Sequence, residues 1–326
     1  MIDQGDFATV RFSTDDLPEK DRVTMWREHF GHTALRIDIE PAEGTRFHAS
    51  MASRSLPGLD LLWGNMSPAR VTRTRELVAD GNDDLALVVN CTGPLCMAAG
   101  DREVVLRERD AVLIRSDDVV RYDRCGSGRT LALRIPRSIL SPLVADLDDA
   151  VMRHITRKTE ALRLLTSYAG TLPDANGLAA PGVMHLVVGH IHDLVALTLG
   201  ATRDAAHAAD EGGVRAARLQ VAKAQIIANG ARRDLSVTSV AAYVGVTPRH
   251  LQRLFEADGT TFSSFLLGQR LARAYGMLCD PRFDRHPVST IAYEAGFGDL
   301  SYFNRSFRKL YGGTPRDVRQ AAEGAC

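Results

Sequence analysis

The residues of this 326-residue chain best suited to chemistry on a partner sit near its C-terminal end, in two stretches that repeat each other. Residues 239–255 can be laid beside 290–307. Val240, Ala241, Gly245, Val246, Arg253 and Phe255 then face Ile291, Ala292, Gly296, Phe297, Arg305 and Phe307, with one extra residue in the second copy. Apolar residues after each glycine (Leu251, Leu254 and Phe255; Phe303 and Phe307) share one helical face. That turns Arg249, Gln252 and Arg253, and Ser301, Asn304 and Arg305, to the opposite side. Guanidinium and amide groups on a helix make the paired hydrogen bonds that read guanine and adenine edges, and they also reach phosphate oxygens.

Such side chains need a frame, and each copy has the parts of a helix-turn-helix. Ala241 and Ala292 are small enough for two helices to approach closely, and Gly245 and Gly296 can end the first helix in the left-handed conformation. Thr247 then caps the second helix with Pro248 in its first position, and Asp299 does the same in the second copy. Between the copies, residues 262–279 place Phe265, Leu266, Leu271, Ala274 and Leu278 at helical spacing, and Asp280-Pro281 stops the run. At 1.5 Å per residue this helix spans on the order of 27 Å, suited to two recognition helices in major-groove segments about one DNA turn apart.

The rest of the chain differs in period and in charge. From Val214 onward there are 16 Lys and Arg against 9 Asp and Glu; with 40 of each in the whole chain, the first part carries a matching acidic excess. The basic end is the one for a polyanion. Runs at 46–50, 59–66, 71–77, 85–91, 95–99, 103–107, 111–114 and 129–135 alternate or are apolar and are separated by turn signals such as Pro57-Gly58, Gly93-Pro94 and Gly100-Asp101, which predicts a sandwich, barrel or jelly roll. Helical spacing takes over at 138–147, 159–171 and 182–199. The last of these, with Leu186, Val187, Ile191, Leu194, Val195 and Thr198, is apolar enough to need a cover, either the barrel or a second copy of the chain. His185, His190, His192 and Asp193 argue against its crossing a membrane. Small and polar residues at 201–213 read as a linker or frayed helix. The five cysteines form no Cys-x-x-Cys pair and suit reduced thiols in the cytoplasm, and the acidic start, Met1 to Asp6, argues against a secretory signal.

Residues 215–320 resemble the AraC/XylS group of bacterial transcription regulators. The marks are Leu235-Ser236-Val237, Ala241-Ala242, Gly245-Val246, His250-Leu251-Gln252-Arg253-Leu254-Phe255, Arg270-Leu271-Ala272-Arg273-Ala274, Ile291-Ala292, Gly296-Phe297, Tyr302-Phe303, Phe307-Arg308-Lys309 and Thr314-Pro315. The resemblance implies a seven-helix DNA-binding domain with two recognition helices in the major groove of double-stranded DNA. By position it assigns base-reaching places to Arg249, Gln252 and Arg253 and to Ser301, Tyr302, Asn304 and Arg305. Arg308 and Lys309, toward a helix end, fall to phosphate. Leu300 departs from the pattern by being apolar where such regulators often carry a polar residue.

The strand-rich part is similar to the sensor domains of this group, a cupin-like barrel with dimerising helices. The expectation is therefore an α+β chain of two domains: a cupin- or jelly-roll-like β-barrel with packed helices at 1–200, a linker at 201–213, and an all-α domain with two helix-turn-helix units at 214–326. His48 stands alone in the barrel region, and His190 and His192 do not share a helical face, so the metal set of a cupin enzyme is missing. Nor is there a nucleophile elbow, phosphate loop or paired zinc motif, and no cofactor and no catalytic residue is expected. His48, Trp63, Arg73 and Tyr122 are candidate cavity residues, suited to an aromatic acid or similar anion. The expected partners are double-stranded DNA, a small-molecule effector, RNA polymerase for an activator, and a second copy of the chain. A metal-dependent cupin-type enzyme with a helical docking domain, and a regulator that needs no effector, are the competing readings.

Overall fold

Short alternating runs pair as antiparallel strands through the first part of the chain in the computed structural model, which describes residues 8–173 and 181–323. Met1 to Asp6 and Cys326 lie outside the described residues. The chain divides into two units, Met1–Ala217 and Arg218–Cys326.

In the first unit, eleven strands among the described residues build two antiparallel sheets. They are β1 (Val10–Ser13), β2 (Asp38–Pro41), β3 (Ala49–Leu56), β4 (Leu59–Met66), β5 (Ala69–Arg73), β6 (Leu85–Asn90), β7 (Leu95–Ala99), β8 (Arg102–Leu106), β9 (Ala111–Arg115), β10 (Val120–Arg124) and β11 (Gly128–Ile135). One sheet has the order β1-β3-β4-β11-β6-β9 and the other β2-β5-β10-β7-β8. This is the expected cupin-like arrangement. Alternation along each strand separates two faces, and Leu61, Leu133, Leu87 and Leu113, in register across the first sheet, share one of them and are essentially without exposure.

Helices α1 (Arg22–Trp26), α2 (Arg75–Val78), α3 (Arg137–Leu140) and α4 (Leu147–Ala150) are about one turn each. The helix expected over 138–147 is thus only its ends, because Pro142 cannot continue the hydrogen-bond ladder. The strand expected over 71–77 stops at Arg73, where the Thr74 side chain caps α2 by accepting from the Leu77 N–H. Helices α5 (Glu160–Ala169), α6 (Pro181–Leu199) and α7 (Arg203–Glu211) complete the unit. Residues 201–213, read as linker or frayed helix, are thus mostly α7, capped by Thr202. Helix α6 is long and apolar enough to cross a membrane by length and composition alone. Its Val187, Ile191, Leu194, Val195 and Thr198 are buried within the unit, whereas Leu186 and Val183 face outward.

The second unit is all-helical: the greater part of α8 (Gly213–Asn229), then α9 (Val237–Val244), α10 (Pro248–Ala257), α11 (Phe262–Leu278), α12 (Val288–Glu294), α13 (Leu300–Tyr311) and α14 (Pro315–Glu323). Two cores hold it. Ile226, Val240, Ala241, Leu251 and Phe255 centre the first. In the second, Phe297, Phe303 and Phe307 meet in sequence, with ring centroids 4.9 and 5.5 Å apart, over Ile291 and Ala292. The two repeated stretches therefore each own a core, and α11 contributes Leu266 to one and Leu271 to the other.

Candidate nucleic-acid interface and barrel cavity

Each repeated stretch folds as helix, turn and second helix, and the two turns close in the same way. The Val246 N–H donates to the Ala241 carbonyl at 2.9 Å, and the Phe297 N–H donates to the Ala292 carbonyl at 3.0 Å. Gly245 and Gly296 supply the left-handed residue, with φ of 81° and 98°. Three residues separate α9 from α10 and five separate α12 from α13. The recognition helices begin as expected: Thr247 accepts from the His250 N–H with Pro248 behind it, and Asp299 accepts from the Tyr302 N–H.

Burial of Leu251, Leu254 and Phe255 fixes the rotation of α10, leaving Arg249, Gln252 and Arg253 exposed; Phe303 and Phe307 do the same for α13, leaving Ser301, Tyr302, Asn304, Arg305, Arg308 and Lys309 exposed. The side chains of Arg249, Gln252, Arg253, Asn304, Arg305 and Lys309 have no hydrogen bond or ion pair among the described residues. Arg308 lies within electrostatic reach of Asp317. Tyr302, 47% exposed, still leans on Phe297 at 6.5 Å, so its ring is part of the core edge and part of the surface. Leu300 is half-buried against the second core, which accounts for its apolar character in chemical terms: it is a packing residue. His250 is likewise half-buried.

The two helix-turn-helix units are joined by a contact that sequence reasoning quoted only as a motif. Arg270 on α11 donates from Nε to the Gly230 carbonyl at 2.7 Å and from Nη2 to the Arg232 carbonyl at 2.8 Å. A Cβ on Gly296 would lie 2.8 Å from the Gly230 and Ala231 carbonyls and 2.9 Å from Arg270 Nε. The turn of the second copy therefore nests on the end of α8, and only glycine fits both the space and the backbone angle.

In the first unit the sheets enclose a cavity of about 170 Å³ walled by Leu62, Met66, Val88, Met97, Val120 and Ala132. Of the four candidate residues, the structure brings Arg73 and Tyr122 to this cavity; His48 and Trp63 are not among its lining residues. Leu62, Gly64 and Met66 of β4 face it, so strand alternation puts Trp63 on the opposite face, in an outer groove with Phe12, Met51 and Thr166. His48 bonds through Nδ1 to Asp15 Oδ1 at 2.7 Å, a contact that holds the Asp15 carboxyl below its ordinary range. Arg73 lines the cavity with its hydrogen bonds already taken, by the Ser116 carbonyl at 2.6 Å, the Arg36 carbonyl at 2.9 Å and both oxygens of Asp80 at 3.0 and 3.1 Å. Sequence reasoning missed Arg115, Arg124 and Arg134, which also line it. The i, i+2 spacing of Tyr122 and Arg124 was the available signal, but β10 itself went unread. No group of three His, Cys, Asp or Glu side chains placed for a metal ion occurs among the described residues.

Comparison with known proteins follows the same division. A family described as an AraC-binding-like domain matches residues 26–200, more than half of the chain, and one described as a helix-turn-helix domain matches 240–321. The chain is 29% identical to the transcriptional activator RhrA of Rhizobium meliloti (strain 1021), over 97% of this chain and 98% of that protein. It is 28% identical to the transcriptional activator NphR of a Rhodococcus species, over 94% and 92%. Among solved structures it is similar to the AraC-like transcriptional activator CuxR, at 20% identity and a TM-score of 0.49, over 82% of this chain and 95% of that one.

Proposed function

The chain belongs to the AraC family, and on that premise we propose that it activates transcription in answer to a small organic effector held in its N-terminal barrel. It is a DNA-binding regulator, and the observation that carries the reading is the pair of matched helix-turn-helix units, each turning unpaired cationic and amide side chains away from its own core. In this reading Arg249, Gln252 and Arg253 on α10, and Ser301, Tyr302, Asn304 and Arg305 on α13, meet base edges, while Arg308 and Lys309 meet phosphate. The other proposed partners are RNA polymerase and a second copy of the chain. The reading includes a cytoplasmic location and no enzymatic step.

Effector action requires that the ligand favour one arrangement of the regulator over another; equal affinity for both would shift nothing. Gel-shift titration of the full chain on the DNA upstream of its own gene tests the DNA-binding part. Sequence-specific binding that weakens steeply with salt is expected. Binding that unrelated competitor DNA removes equally well would overturn it.

A further inference from the structure

Resting on the reading of the barrel cavity as the effector site, we infer that its ligand is a small, largely apolar monocarboxylate, with the carboxylate on Arg124 and the body against the apolar walls.

The charge lining the cavity is one-sided. Among the described residues that line it there is no Asp, Glu, Lys or His, and the ionic groups are Arg73, Arg115, Arg124 and Arg134. Three of these are balanced nearby: Arg73 by Asp80 at 3.0 Å, Arg115 by Asp117 at 2.6 Å and Arg134 by Asp60 at 3.4 Å. Arg124 is not. Only 7% exposed, it donates to the Thr92 carbonyl at 3.1 Å and to the Asn90 amide oxygen at 3.5 Å, both neutral, and has no carboxylate partner among the described residues. A guanidinium has five N–H donors, so most of this one's are unused.

The side chain is also held in place. A Cβ at Gly128 would come within 2.0 Å of Arg124 Nη1, and one at Gly93 within 3.3 Å, so two glycines form the slot that receives it. Burying a cation without its counter-charge is costly, and a bidentate carboxylate is the partner whose shape fits a fixed guanidinium. Two residues earlier on the same face of β10 stands Tyr122, whose hydroxyl has no hydrogen-bond partner among the described residues. Burial raises its phenol to about 12, which keeps it a donor at neutral pH. At about 7 Å along the strand it can reach the same ligand.

The other walls set the rest of the molecule. Leu62, Met66, Val88, Met97 and Ala132 make most of the wall apolar, with few acceptors for the hydroxyls of a sugar or polyol, and an amine would meet four arginines and no carboxylate among the described lining residues. A cavity of about 150 Å³ takes benzene, so the body is about one ring or a short chain. One uncompensated arginine calls for one carboxylate.

Calorimetric titration of the full chain with benzoate, phenylacetate and hexanoate, against benzamide, phenylacetamide and benzylamine, tests this. The expected result is that at least one acid binds at least about tenfold tighter than its amide, with no binding of benzylamine. Arg124→Met should erase the acid-to-amide difference, and Tyr122→Phe, which keeps the ring, should weaken acids a few-fold. The ratio in the unaltered protein is the primary readout, so the test survives a variant that fails to fold. Amides or benzylamine binding as tightly as the acids, or no probe binding at millimolar concentration, would overturn the inference. Ala132→Trp, which fills the cavity, separates the two claims. Equal binding of acid and amide that this variant abolishes discards the carboxylate and keeps the cavity, whereas acid binding that it leaves intact discards the cavity.

Discussion

At the scale of single residues, the regulator's recognition helices carry side chains whose exposure serves no internal purpose. Arg253 and Arg305 occupy equivalent places in the two copies, and neither has an internal acid to neutralise it among the described residues. Replacing either by Ala should weaken specific DNA binding by about 1–3 kcal/mol and relax the choice of base at one position. Melting should stay within about 0.5 kcal/mol of the parent, because no packed or bonded group is lost. Lys309→Ala should behave differently: a uniform loss across sequences, with the slope of log K against log salt shallower by about one. Parallel gel-shift and thermal-melting series would check both, and a large loss of melting stability in Arg253→Ala would mean that the side chain serves the fold.

At the scale of elements, two glycines with the same backbone role differ in their surroundings. A Cβ on Gly245 would meet nothing within 4 Å, so Gly245→Ala should cost only the left-handed backbone, about 1–2 kcal/mol. Gly296→Ala adds a collision with two carbonyls and with Arg270, and should cost clearly more, on the order of 3 kcal/mol. Arg270→Met should loosen the same junction, by about 1–3 kcal/mol from the stranded carbonyls. Denaturant melts would order the three variants, and equal costs for the two glycines would refute the nesting of the turn on α8. The helix-turn-helix elements were legible in the sequence because glycine, cap and apolar spacing agree there. Strands were less so. Runs such as Leu59–Met66 and Leu95–Ala99 stand out by composition, but β10 reads Val-Arg-Tyr-Asp-Arg, with charge on both faces, and it escaped notice although it lies in the middle of its sheet. Without β10, Arg124 does not stand out either, and the sequence leaves Trp63 a candidate for the cavity because a strand's pleat phase cannot be set without its neighbours.

At the scale of the whole molecule, an acidic first part and a basic second part are joined in one neutral chain, and the charge is placed where the polyanion is expected. The apolar helix Pro181–Leu199 needs a cover by its composition, and its own unit supplies one on the side that carries Leu194 and Val195, both wholly buried. Leu194→Arg should therefore unfold the first unit, with a loss of about 3–5 kcal/mol or more seen by calorimetry, instead of separating subunits. The central claim is that both helix-turn-helix units read DNA. Footprinting of the full chain on its upstream DNA, with Arg253→Ala and Arg305→Ala alongside, tests it most directly. Two protected major-groove segments about one helical turn apart are predicted, one weakened by each variant; a single protected segment sensitive to only one of the two arginines would contradict it.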